Sequence, residues 1–90
     1  MMELTVYPKW EGVQMRLTEK KWHVDVVRNK KNSVWIGNGI IQDHAIRYDS
    51  GKIVYDFPDS IPKYAKKLVS EAFKLIDKMT DIANNEGKSS

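Results

Sequence analysis

Cysteine is absent from the 90-residue chain, which excludes a disulfide framework, a cysteine zinc site and a thiol nucleophile. Histidine is nearly as scarce, with only His23 and His44, so a histidine-rich metal centre has no ligands to draw on. Prolines number three and glycines five, too few for a low-complexity or linker chain. No apolar run exceeds a few residues, and Met1-Met2-Glu3 carries no basic leader; neither a membrane span nor a secretory signal is expected, and the cytoplasm is the expected location. The 15 Lys and Arg against 12 Asp and Glu leave a net charge of +3, too small by itself to define a nucleic-acid binder. With 41% hydrophobic residues, the chain has enough apolar material for one small core.

Composition changes once along the chain, near Pro58 to Pro62. Before it, β-branched and aromatic residues alternate with polar ones, and after it apolar residues follow a helical spacing. The expectation is an α+β fold: an antiparallel β-meander of about four to six strands followed by one long C-terminal helix packed on the sheet. A single domain is expected over 1–84, with 85–90 a flexible C-terminal tail. Leu4 to Tyr7 and Val13 to Leu17 read as short strands, with Pro8 ending the first or holding it at an edge.

Two hairpins are predicted. In His44 to Phe57, a two-residue Ser50-Gly51 loop sets Tyr48 opposite Ile53, Ile46 opposite Tyr55 and His44 opposite Phe57 as the core face, leaving Arg47, Asp49 and Lys52 exposed. In Lys21 to Ile36, pairing about Lys30-Lys31 puts Trp22, Val24, Val26, Trp35, Gly37 and Gly39 on one face. His23, Asp25, Val27, Val34 and Ile36 fall on the other. The alternate glycines either leave room for an indole lying across the strand or mark a bulge at Gly37-Asn38-Gly39.

The helix is expected from Pro62 to Asn84, capped by Asp59 or Ser60, with Pro62 suited to its first turn. Its apolar stripe is wider than one sheet-facing seam needs. Val69, Ala72, Phe73 and Ile76 form one seam, and Leu75, Met79 and Ile82 lie on the adjoining flank, which is the expected homodimer interface.

No catalytic residues, cofactor or metal site are expected. His23 and Asp25 share a strand face but lack further ligands, so they read as part of a solvated face. Asp43, His44 and Ser50 have no nucleophile-elbow context, and Gly37-Asn38-Gly39 lacks the rest of a phosphate-binding loop. The cations Lys20, Lys21, Arg28, Lys30 and Lys31 all fall in one hairpin that also holds Trp22 and Trp35. A basic finger with an indole suits single-stranded nucleic acid, phosphates meeting Lys21, Arg28, Lys30 and Lys31 while a base stacks on Trp35. The element order resembles that of Whirly-type single-strand binders, which implies the same ligand class at the level of fold alone. The alternative expectation is a protein-binding regulator or inhibitor, of the kind mobile elements and phages encode as accessory factors.

Overall fold

The computed structural model describes residues 1–8 and 12–88, with helix side chains described as far as residue 81. The alternating N-terminal two thirds forms six strands: β1 (Glu3–Val6), β2 (Val13–Glu19), β3 (Trp22–Val27), β4 (Ser33–Gly37), β5 (Gln42–Arg47) and β6 (Ile53–Tyr55). Each pairs antiparallel with its neighbour in sequence, giving one sheet of order β1-β2-β3-β4-β5-β6. The helix α1 (Lys63–Lys88) follows and packs across β2, β3 and β4, so the fold is α+β as the composition change implies. Pro62 sits just before the helix, and its carbonyl accepts the N–H groups of Ala65 and Lys66. The helix runs past the expected end at Asn84. No helix among the described residues is long and apolar enough to cross a membrane.

The core lies between one face of the sheet and α1. Met15, Leu17, Trp22, Val24, Val26, Val34, Ile36 and Ala45 line the sheet side, and Leu68, Val69, Ala72, Phe73 and Ile76 line the helix side. Trp22 meets the Phe57 ring at 5.1 Å, which closes the core at the β6–α1 connection. Half-buried Ile53, Tyr55, Tyr64, Leu75 and Met79 pack around this centre.

Both predicted hairpin registers are corrected by one residue. In the first hairpin Val26 pairs with Val34, and in the second Arg47 pairs with Ile53. The cause lies in the loops, Arg28–Asn32 and Tyr48–Lys52, which hold an odd number of residues. Gly51 (φ 90°) adopts the left-handed conformation that ends the three-residue 49–51 turn with a bulge, and Asn29 (φ 68°) adopts it inside the β3–β4 turn, just before Lys30, whose N–H donates to the Val27 carbonyl at 3.1 Å. The Gly51 N–H donates to the Tyr48 carbonyl at 2.9 Å, and the Tyr48 N–H donates to Lys52 at 2.8 Å. An odd slip reverses every side chain of the strand. Val34 and Ile36 therefore enter the core with Trp22 and Val24, while Trp35 and Gly37 turn to the other face. Likewise Ala45 is core, Ile46 is half-buried on the far face, Tyr48 is 54% exposed, and Arg47 points to the helix side. Phe57, Ile53 and Tyr55 keep their expected places at or beside the core.

Candidate nucleic-acid interface

The sheet face opposite α1 has no element laid over it among the described residues. Cross-strand pairing places Thr5, Arg16, Asp25, Trp35 and His44 in one row across it, with Thr18, His23, Gly37 and Gln42 in the next. A strand face open to water is expected to be polar. Here it is polar and yet partly sealed. Asp25 is 1% exposed, and its carboxylate accepts two hydrogen bonds from Arg16, at 2.6 Å from Nε and 2.9 Å from Nη2. Gln42 Nε2 adds a third at 3.2 Å. This bidentate pairing and the nearby Asp25 charge raise the Arg16 pKa above its ordinary value, against a smaller opposing effect of burial. The expected solvated face is thus corrected at Asp25, which is buried because a guanidinium from β2 covers and neutralises it.

His23 lies beside this pair. Its ring covers Gly37, where an added Cβ would come within 2.7 Å of Cε1 and 2.8 Å of Nε2. The glycine leaves room for an imidazole and not for the indole considered from sequence. Nε2 of His23 is buried with no hydrogen-bond partner. Burial, and secondarily the Arg16 charge, pull the His23 pKa below its ordinary 6.5, with Asp25 opposing. The folded chain therefore resists protonation that the unfolded chain accepts. Stability should be full above pH 6.5 and fall as the pH drops below it. Thermal melts between pH 7.5 and 5 should show this slope in wild type and a shallower one in His23→Gln. Equal slopes would remove His23 as the cause.

Trp35 is half-buried on the same face, and its ring lies 3.8 Å from that of His44, tilted by 38°. It sits two residues into β4, about 7 Å along the strand from the β3–β4 turn. That turn carries exposed Lys30 and Lys31, and the β5–β6 turn at the same end of the sheet adds Lys52 and Tyr48. The structure divides the remaining expected contacts. Arg28 is half-buried and donates through Nη2 to the Tyr7 carbonyl at 3.1 Å, tying the β3–β4 turn to the chain after β1. Lys21 is exposed in the β2–β3 turn, at the opposite end of β3, roughly 20 Å from Lys30. Trp22 is in the core. The finger thus resolves into a pair of tip lysines and one indole two residues into the strand that follows them.

Arg47, expected in water, fixes the tip in place. It stacks 4.6 Å over Phe73, pairs with both Asp77 oxygens at 2.8 and 2.9 Å, and donates to the Lys31 carbonyl at 3.0 Å. The hydrogen bonds from Arg47 hold the Asp77 carboxyl below its ordinary range. Behind the tip, Gln14, Val26, Lys30, Lys31, Ile76 and Met79 line a groove of about 320 Å³. On the expected dimer flank, Leu75 and Met79 are half-buried, and Met79 Sδ accepts a hydrogen bond from Gln14 at 3.6 Å. The Ile82 side chain lies outside the described residues.

One group was missed at the sequence level. Asp43, His44 and Asp56 bring one ligand atom each within 4.8 Å of one another. Asp56 becomes a neighbour of His44 only through the β5–β6 register, its N–H donating to the His44 carbonyl at 2.9 Å. Among the described residues, this is the group with metal-ligand spacing, and His23 with Asp25 is not. Comparison with protein-family models, with curated proteins and with solved structures finds no match for this chain.

Proposed function

We propose that the protein is a non-catalytic binding module for single-stranded nucleic acid, using the uncovered sheet face and the turns at its β3–β4 end. The observation that carries this reading is the placement of Trp35 against His44 on the uncovered face, at the end of the sheet whose β3–β4 and β5–β6 turns carry Lys30, Lys31 and Lys52. Aromatic rings offer a sequence-tolerant platform for unpaired bases, each stack worth about 1–3 kcal/mol. Lysines at the rim meet phosphates and release counterions, which makes binding fall with salt. Arg16 contributes no free charge, since Asp25 holds it. Arg28 supports the tip from behind, and Lys21 belongs to a separate end of the sheet.

The test is oligonucleotide binding over a salt series. Trp35→Ala should weaken binding about 5- to 150-fold, the equivalent of one lost stack. Lys30→Gln/Lys31→Gln/Lys52→Gln should lower the log–log salt slope by about 2, at roughly 0.7 per phosphate contact on a single strand. Affinity and slope unchanged in both variants would overturn the reading and leave a protein target as the alternative.

A further inference from the structure

We infer that β1 is a docking edge for a second copy of this chain, the two β1 strands pairing antiparallel about a two-fold axis at Thr5. The inference is independent of the nucleic-acid reading. β1 is an outer strand of the sheet, and all four of its residues are exposed. Among the described residues β2 is its one strand neighbour, and alternate N–H and C=O groups of β1 point away from β2. Leu4 and Val6 pair with Leu17 and Met15, which are core residues, so both project from the helix side of the sheet. Yet Leu4 is 51% and Val6 57% exposed, with Met2 beside them at 43%. A groove of about 530 Å³ opens between Met2 and Glu19 on the sheet side and Tyr64, Leu68 and Glu71 on the helix.

Protected edges carry a lysine, a proline, a bulge or a very short strand. β6, at the opposite edge, is only three residues long. β1 is one residue longer and, although Pro8 follows it, has no lysine or proline within Glu3–Val6 and pairs with β2 in an unbroken register. Leu75 and Met79 are half-buried against their own core, which leaves β1 as the more exposed apolar surface.

A second copy fits because the strand is self-complementary. With the axis at Thr5, Leu4 meets the partner's Val6 and Thr5 meets the partner's Thr5. Glu3 meets the partner's Tyr7. An even register keeps Leu4 and Val6 of both copies on the helix side, whereas a one-residue slip would send the partner's pair to the polar face. Charge agrees: Glu3 is the one charged residue of β1, and the two Glu3 carboxylates lie about 14 Å apart along the ladder, beyond the Debye length of about 8 Å. Four-residue strands bury less than the roughly 1,600 Å² of a standard interface, so the dimer should be weak, with a dissociation constant of about 10–100 µM.

Sedimentation equilibrium and amide exchange, both without nucleic acid, test the inference. Wild-type mass should rise toward the dimer value above about 100 µM, and β1 amides should gain protection over the same concentration range. Leu4→Lys/Val6→Lys should stay monomeric with an unchanged circular dichroism spectrum, and Ile40→Lys, at an 89% exposed turn position, should associate like wild type. A wild-type chain that stays monomeric, β1 amides that gain no protection, or a folded Leu4→Lys/Val6→Lys chain that still dimerises would each overturn it. The exchange measurement needs no variant and decides the matter even if the double substitution fails to fold.

Discussion

Arg16→Met is expected to lower the free energy of unfolding by about 3–5 kcal/mol, the cost of stranding a buried carboxylate. A small domain holds about 5–15 kcal/mol in all, so this single change should bring the chain close to unfolding. The size follows from the asymmetry of the pair. The Asp25 side chain is 2% exposed, whereas that of Arg16 is 34% exposed and can turn to water when its partner is removed. Asp25→Ala should therefore cost less than Arg16→Met, although it removes the same two hydrogen bonds and the one from Gln42 as well. Arg16→Met/Asp25→Val should recover most of the loss, because a hydrophobic pair leaves no charge unpaired. Urea unfolding of the four proteins measures the cycle. Additive losses in the double variant would show that the two residues do not act as a pair.

Ile36→Ala is expected to cost about 2–5 kcal/mol, and Ile46→Ala roughly 1 kcal/mol. Both isoleucines sit in strands of similar composition, and alternation alone favours Ile46 for the core. The register gives the opposite answer: Ile36 is 0% exposed against the helix, and Ile46 is half-buried on the other face. Truncating Ile36 leaves a cavity in the core beside its cross-strand partner Val24 that a sheet clamped by a helix cannot collapse. Around Ile46 the missing atoms are replaced in part by water. Equal losses, or a larger loss at Ile46, would contradict the β4 and β5 registers together.

Element order and type were readable from residue pattern because each rests on local chemistry. Alternation runs through β2, β3 and β5, Gly51 marks a turn, and the helical spacing begins after Pro62. Facing was not readable, because it depends on whether a loop holds an even or an odd number of residues. Asn29 and Gly51 decide that through a left-handed backbone angle that composition only suggests. The β2–β3 turn, with Lys20 at φ 56°, joins Glu19 to Trp22 as a two-residue loop. Errors of facing then propagated to the site. Asp25 reads as solvated until β2 brings Arg16 opposite it. Trp22 and Trp35 read as companions until one slip separates them across the sheet. Lys21 reads as part of a basic cluster because sequence distance ignores the length of the strand between it and Lys30. The nearness of Lys52 and Asp56 to this face likewise depends on the β5–β6 pairing.

The most direct test of the uncovered face as a nucleic-acid platform is a chemical-shift titration of the labelled protein with a short oligothymidine at low salt. The expected shifts are at the Trp35 indole N–H, at His44 and in the backbone of the Lys30–Lys31 and Tyr48–Lys52 turns. The buried helix seam around Leu68 and Phe73 should stay silent. Shifts gathered on the lysines of α1, or none at millimolar oligonucleotide, would contradict it.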